Sequence, residues 1–181
     1  MKVLPSSLPD VLIIEPTVSR DERGFVFESY NARDFAAATG VDAQFVQDNH
    51  TRSVQNVLRG LHYQIEQAQG KLVRVTQGEV FDVVVDLRKR SPTFGLWSGN
   101  RLSADSQQML WIPSGFAHGY LVVSEHADFL YKTTAYWNSA YERCIAWNDS
   151  QLNINWPLRN TPLLSAKDSR GAAFLDAEVF P

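Results

Sequence analysis

The chain has 181 residues, of which 44% are hydrophobic, 12% aromatic and 20% charged, and its formal net charge is −3. This length suits one domain with a sizeable core, and the composition is that of a folded globular protein rather than a disordered one. A net negative charge argues against a general nucleic-acid-binding protein, which needs a basic surface to neutralise phosphates.

The sequence gives no sign of secretion or membrane insertion. Cys144 is the single cysteine and cannot form an intrachain disulfide, and the first five residues lack the apolar core of a signal peptide. No apolar run reaches the length that spans a bilayer. These features predict a cytoplasmic protein without membrane contact, organised as one domain over residues 1–181.

Two strands and a helix are predicted near the start of the chain. Residues 11–14 and 23–30 are rich in β-branched or aromatic side chains and are bounded by turn residues. Asn31 is suited to cap a helix over Ala32–Thr39, which Gly40 would end. This is the one convincing helix that the sequence predicts.

Further short strands follow, separated by turn residues at fairly regular spacing. They are predicted over residues 43–47, 57–64, 72–76, 79–87, 95–102, 108–112, 118–123 and 128–135. Such a series is typical of an antiparallel sandwich or barrel. Residues 148–181 contain prolines and few periodic apolar positions, so this tail is predicted to wrap the barrel irregularly. The predicted fold is all-β with one short N-terminal helix.

Residues 113–118, Pro-Ser-Gly-Phe-Ala-His, resemble the second motif of the cupin family, PxGxxH, whose histidine points into a small β-barrel. In metal-binding cupins the first motif supplies two histidines as HxH and a glutamate, because a divalent ion needs three or four converging ligands. The corresponding strand here carries His62 alone, with Gly60 and Gln64 at the alternate positions. The ligand count therefore predicts no bound metal. A metal-dependent cupin stays open as an alternative, ranked below the two described at the end of this subsection.

His62 is the candidate base, because an imidazole ionises near neutral pH. A lone strand histidine is more often a core residue paired with a backbone carbonyl, and that interpretation stays open. Strict alternation would place Arg59 and His62 on opposite faces of the strand. A bulge at Gly60 would turn both side chains into one cavity, whereas without a bulge Arg59 is a surface charge.

Three other side chains could join the chemistry, and each has an ordinary structural alternative. Lys71 opens a strand, where a lysine is usually solvated, and Tyr131 shares a strand face with Phe129, as a core aromatic would. Asp168 lies in the irregular tail, where a surface turn is the ordinary interpretation. An aspartate brought to the histidine would orient the imidazole and stabilise its charged form.

A colinear series of segments resembles the dTDP-4-dehydrorhamnose 3,5-epimerase family over nearly the whole chain. The segments are residues 21–25, 27–30, 45–50, 58–64, 69–74, 78–82, 91–95, 111–119, 129–132, 147–149, 155–157 and 165–168. An ordered series of this kind is far more specific than any one motif. The resemblance implies a cupin-like antiparallel jelly roll that uses no cofactor and converts dTDP-4-dehydro-6-deoxy-D-glucose to dTDP-4-dehydro-L-rhamnose.

The resemblance also implies a role for each site residue. His62 would accept the proton with Asp168 as its orienting partner, Tyr131 would donate a proton, and Lys71 would stabilise the enolate oxygen. The residues that would line the sugar-nucleotide site are Arg23, Glu28, Gln47, Asn49, Arg59, His118, Glu142 and Lys167. Family members are typically homodimers in which N-terminal strands reach across, so Arg23 and Glu28 would serve the neighbouring subunit's site.

Two other functions stay open at this level. A relative that inverts only C3 or only C5, or that isomerises the ketone, would keep the same acid and base. A cupin that binds sugar nucleotides without turnover would show affinity but no exchange of substrate hydrogens with solvent. The roles of Asp82 and Asp86, which share one strand face, and of Trp137 are not fixed by the sequence.

Overall fold

The computed structural model describes residues 1–181 and contains thirteen β-strands and one α-helix, α1 (Ala32–Thr39). The strands are β1 (Lys2–Pro5), β2 (Leu12–Glu15), β3 (Ser19–Asp21), β4 (Gly24–Val26), β5 (Gln47–Val54), β6 (Leu58–Gln64), β7 (Lys71–Gln77), β8 (Glu79–Asp86), β9 (Trp97–Ser103), β10 (Met109–Ile112), β11 (Phe116–Val122), β12 (His126–Thr133) and β13 (Glu142–Cys144). The tail contains two 3-10 turns, Asp168–Arg170 and Phe174–Asp176. α1 is too short and too polar to cross a bilayer. The cytoplasmic location stays a prediction.

Two antiparallel sheets pack against each other. The larger has six strands in the order β1-β2-β10-β7-β12-β5, and the other has five in the order β13-β6-β11-β8-β9. β3 and β4 form a separate hairpin. The predicted all-β antiparallel jelly roll, with one short N-terminal helix and an irregular tail, is confirmed.

The core has three apolar layers because both sheets are covered on both faces. Between the sheets, Phe129 and Val73 of the larger sheet pack with Val84 of the smaller one. Outside the larger sheet, Phe35 of α1 packs on Trp111 and its neighbours. The C-terminal tail covers the outer face of the smaller sheet. Strands buried on both faces read as nearly continuous apolar runs, as β8 and β10 do.

The helix begins and ends where the sequence predicts. The Asn31 side chain accepts a hydrogen bond from the Asp34 N–H at 3.3 Å, which satisfies one of the free donors of the first turn. Gly40 adopts the left-handed conformation with φ of 72°, and its N–H binds the Ala36 carbonyl. Phe35 is the buried residue of the helix, and through it the helix covers the outer face of the larger sheet.

Some strand predictions were wrong, chiefly at sheet edges. The predicted strand at residues 43–47 is irregular, and the real strand is the polar β5 that follows it. The predicted strand at residues 23–30 shrinks to β4 of the hairpin, and β1, β3 and β13 were missed. β1, β5 and β13 are edge strands, where fewer residues are buried and the apolar alternation that marks a strand is weak.

β6 contains a one-residue bulge opposite β11. His118 pairs with His62 and Tyr120 pairs with Arg59, so three residue steps on β6 match two on β11. The predicted bulge at Gly60 is therefore confirmed. Its consequence is also confirmed, because Arg59 and His62 line one cavity.

Gly60→Ala is expected to destabilise the fold more than Gly24→Ala. The two glycines have nearly the same φ, 127° and 129°, which is strained for any side chain. A Cβ on Gly60 would lie 2.5 Å from the Gly119 Cα, whereas a Cβ on Gly24 would meet nothing within 4 Å. We expect the clash to lower the free energy of unfolding by a further 1–3 kcal/mol or so, measured by urea denaturation. Equal losses in the two variants would contradict this account of the bulge.

Candidate active site

A cavity of about 200 Å³ lies in the barrel beside the β6 bulge. Side chains from both sheets and from the tail converge on it, although they are far apart in sequence. The predicted site residues that line it are Arg59, His62, Lys71, His118, Tyr131, Glu142 and Lys167. The structure therefore gathers most of the predicted set around one space.

His62 is hydrogen-bonded through Nε2 to Oδ1 of Asp168. The Ser165 hydroxyl donates to the other carboxylate oxygen of Asp168 at 2.7 Å, and Asp168 is only 3% exposed. The tail is fastened on both sides of this carboxylate, by bridges from Val57 to Leu163 and from Ile145 to Ala172. The irregular tail is thus held in the place that completes the pair.

The pKa of His62 is lowered by burial, with smaller contributions from the positive charges of Lys167 and Lys71. Asp168 opposes this by stabilising the imidazolium. For Asp168, burial raises the pKa, but the hydrogen bonds from His62 and Ser165 outweigh it and bring it to about 2. At neutral pH the pair is a neutral imidazole beside a carboxylate, which is the state that can accept a proton.

Lys71 is a buried cation in the wall of the same cavity. Burial lowers its pKa to about 8, and the carboxylates of Glu142 and Asp82 limit that decrease. Lys167 donates to Glu142 at 2.8 Å, so a second cation stands at the cavity with a partner. With a pKa of about 8, Lys71 is mostly protonated at neutral pH and can stabilise a nearby oxyanion.

His118 forms a second histidine–carboxylate pair. Its Nε2 lies 2.8 Å from Oδ2 of Asp82, and both residues are buried. Asp82 thus pairs with a histidine of the cavity, whereas Asp86 binds Arg88, Ser91 and Thr93 in a separate network. Strand alternation places Asp82 and Asp86 on the same face, but the structure shows that they have different partners.

Tyr131 stands across the cavity from His62, because β12 belongs to the larger sheet and β6 to the smaller one. Burial raises the pKa of Tyr131, and the negative charge of Glu142 adds to the increase. Its hydroxyl therefore keeps its proton throughout the neutral range. A base on one wall and an acid on the opposite wall can address the two faces of one ring.

Four predicted binding residues lie outside this cavity in the single chain. Arg23 is in the β3–β4 hairpin, where it pairs with Asp21 and its side chain is 85% exposed. Glu28 lies just beyond the hairpin, 3.4 Å from Asn31.

Gln47 and Asn49 are hydrogen-bonded to each other at 2.9 Å on the edge strand β5. Asn49 lines an adjoining cavity of about 250 Å³, which shares Tyr131 as a wall.

Several cavity residues were missed from the sequence. Gln64 and Gln69 line the cavity, as does Tyr120, whose hydroxyl lies 2.7 Å from that of Thr51. Tyr120 is two residues beyond His118 on one strand, and Gln64 is two residues beyond His62. Strand alternation from each histidine was the signal that could have found them.

His62, Cys144 and Asp168 place potential metal-ligand atoms within 4.8 Å of one another. Two of the three are already hydrogen-bonded to each other. Burial raises the pKa of Cys144 to about 12, so its thiol keeps its proton, although metals bind the thiolate. This donor set suits a base with its orienting carboxylate better than a metal centre.

Comparison with known proteins gives a consistent result. A model of the family described as dTDP-4-dehydrorhamnose 3,5-epimerase matches residues 5–176. The chain is 62% identical over 181 residues to the dTDP-4-dehydrorhamnose 3,5-epimerase of Pseudomonas aeruginosa, with 100% of both chains covered. Identity to the enzyme of the same name from Shigella flexneri is 56% over 181 residues, with 99% of both chains covered.

A solved structure is similar over the same length. It is the dTDP-6-deoxy-D-glucose-3,5-epimerase of Legionella pneumophila in complex with dTDP-4-keto-L-rhamnose. The sequence identity is 47%, the TM-score is 0.96, and the match covers 98% of this chain and 94% of that one.

Asp168→Asn is expected to lower the pKa of His62 further. The carboxylate raises this pKa by stabilising the imidazolium, so its removal leaves burial and the two lysines to act unopposed. The titration midpoint of the His62 ring, followed by NMR, should move to lower pH. Asp82→Asn is the matched control, because Asp82 pairs with the other histidine and should leave the His62 midpoint in place. An unchanged or higher midpoint in Asp168→Asn would contradict the coupling.

Proposed function

The chain belongs to the dTDP-4-dehydrorhamnose 3,5-epimerase family, and on this premise we infer that it is an isomerase that inverts C3 and C5 of dTDP-4-dehydro-6-deoxy-D-glucose. The product is dTDP-4-dehydro-L-rhamnose, a precursor in L-rhamnose biosynthesis. One observation supports the mechanism above all: the hydrogen-bonded pair of His62 and Asp168 faces Tyr131 across a single cavity.

The substrate supplies its own electron sink. A ketone at C4 makes the hydrogens at C3 and C5 removable, because the carbanion left behind delocalises onto the carbonyl oxygen as an enolate. We assign His62 as the base that takes the proton, with Asp168 holding the ring and stabilising the imidazolium that forms. Charge develops on the C4 oxygen only as the proton leaves, so a cation there lowers the barrier. Lys71 is the buried cation that fits this role.

Inversion requires the new proton to reach the opposite face of the ring from the one that lost its proton. Tyr131 keeps its hydroxyl proton at neutral pH and lies on the wall facing His62. We propose that His62 deprotonates each centre and that Tyr131 reprotonates it from the other side. After each inversion His62 releases its proton to solvent and the tyrosinate takes one from solvent, which restores both groups. These two roles need no ion or redox cofactor.

The nucleotide part of the substrate needs local cations, because the whole chain is net negative. Arg59 lines the cavity and is anchored by the Ser53 hydroxyl at 3.1 Å, so it is the intrachain candidate for the diphosphate. Lys167 adds a second charge at the same cavity.

We propose that Arg23 and Glu28 complete the site of a second subunit in a homodimer. Both lie outside the cavity of their own chain, in or next to the β3–β4 hairpin. The same hairpin exposes Phe25 and Val26, which are 57% and 69% accessible. A hairpin with exposed apolar side chains and an exposed arginine suits a contact across a symmetric interface.

We expect the enzyme to introduce deuterium at both C3 and C5 when the 4-keto sugar nucleotide is incubated in deuterated water. His62→Ala should abolish this exchange, because a general base contributes roughly 10²–10⁴-fold to the rate. NMR or mass spectrometry of the recovered sugar measures the label. Thermal unfolding of the variant checks that the fold survives.

The outcomes separate the competing functions. Deuterium at one carbon only would mean a single-centre epimerase, and migration of the ketone to another carbon would mean a ketoisomerase. Binding of the sugar nucleotide without exchange, unaffected by His62→Ala apart from affinity, would mean a binding protein. Exchange that disappears with a chelator would mean a metal-dependent reaction.

Tyr131→Phe is expected to separate exchange from inversion. His62 can still remove a proton and return a deuteron to the same face, whereas the opposite face has lost its donor. Label should therefore enter the sugar with the starting configuration retained, and the two products are distinguished by NMR coupling constants. Tyr63→Phe is the control, because the Tyr63 hydroxyl donates to the Glu178 carbonyl and takes no part in the proposed proton transfer. Full inversion by Tyr131→Phe would remove Tyr131 as the acid.

A further inference from the structure

Gln64 is a buried polar residue at the end of β6 that the proposed chemistry does not use. It is 2% exposed and lines the cavity. Its Nε2 donates to the carbonyls of Gln67 at 3.0 Å and Tyr136 at 3.2 Å, and its Oε1 accepts from the Asn138 N–H at 2.6 Å. The amide thus uses both of its donor hydrogens and its acceptor on backbone groups.

Tyr136 and Asn138 belong to the loop that joins β12 to β13, and residues 135–138 of this loop have no regular secondary structure. Two more glutamines bind the backbone of these four residues. Gln69 donates through Nε2 to the Ala135 carbonyl at 3.0 Å. Gln47 accepts the Trp137 N–H on Oε1 at 3.0 Å. Each of the four consecutive loop residues therefore has one backbone group bound by a glutamine side chain, and we call Gln47, Gln64 and Gln69 the amide clamp.

The loop matters because it carries Trp137. This side chain is 54% exposed and also lines the cavity, so its ring stands at the opening through which a sugar nucleotide must enter. An indole offers a wide apolar face to a bound ring, but only if its backbone is fixed. The Thr133 hydroxyl also binds the Ala135 carbonyl, and the Tyr141 N–H binds the Asn138 carbonyl. Between these two ends, the backbone groups of Tyr136 and Trp137 are held by the clamp.

We propose that Gln64 is a positioning residue that holds the Trp137 ring as a wall of the substrate site. This inference rests on the proposed function, since the ligand it positions is the dTDP-sugar. Gln64 sits at the alternate position after His62, where a metal-binding cupin carries a second histidine. In this chain the residue at that position binds the loop backbone instead. This needs a neutral group that can donate and accept hydrogen bonds at the same time, and an amide is such a group.

The proposal makes a distinctive kinetic prediction. Gln64→Met keeps the side-chain volume but removes the bonds to Tyr136 and Asn138, so KM should rise about tenfold while kcat falls by less than about threefold. Trp137→Ala should raise KM at least as much. In the Trp137→Ala background, adding Gln64→Met should change KM by less than about twofold, because both act on the same contact.

Two further measurements keep the test decisive. The dissociation constant of dTDP-glucose, which lacks the ketone and cannot react, is measured by calorimetry and should rise with KM in Gln64→Met. Gln69→Met tests the clamp at a second position if Gln64→Met fails to fold. Gln55→Met is the matched control, since Gln55 donates to the Val123 carbonyl outside the cavity and its loss should leave KM unchanged.

Several results would overturn the proposal. Independent, multiplying effects of Gln64→Met and Trp137→Ala on KM would show that Gln64 does not act through Trp137. A drop in kcat with unchanged KM and unchanged dTDP-glucose affinity would place Gln64 in the chemical step instead. A wild-type protein that binds dTDP-glucose but exchanges no hydrogen would refute the proposed function, while the affinity comparison would still decide the role of Gln64.

Discussion

The close approach of β6 and β11 at a one-residue bulge is the constraint from which the site follows. Gly60 and Gly119 face each other there, and a Cβ on Gly119 would lie 2.7 Å from the Arg59 carbonyl oxygen. The extra residue reverses the alternation of β6, so that Arg59 and His62 open onto one cavity rather than opposite faces. An imidazole and a guanidinium thus share one wall of the cavity, because the two facing glycines have no side chains to keep β6 and β11 apart.

Burial then sets the charges that the chemistry needs. Burial disfavours the charged form of each group, so His62 is neutral at neutral pH, whereas Lys71, with its pKa lowered to about 8, is still mostly charged there. Carboxylates placed beside each group limit these shifts. The charges of the site are therefore balanced, and there is a pH range around neutrality in which His62 is neutral while Lys71 is charged.

Much of the fold and some of the site could be predicted from local sequence. The helix over Ala32–Thr39 has its cap and its stop signal within ten residues, and the bulge was indicated by one glycine in an apolar strand. β5 could not be found this way, because an edge strand that borders solvent and a polar cavity has no apolar alternation. Arg23 and Glu28 belong to the predicted set, but both lie outside the cavity of their own chain.

The sequence by itself determined the class of the fold, the strand that carries His62, and the family, since these depend on short-range patterns and on ordered motifs. Only the tertiary structure decided that Asp168 reaches His62 from 106 residues away, that Tyr131 faces them from the other sheet, and that Asp82 pairs with His118 while Asp86 pairs with Arg88. Pairing across such distances depends on how two sheets and a tail pack together. Packing is a property of the whole chain, because these contacts join residues whose separation in sequence does not predict their separation in space.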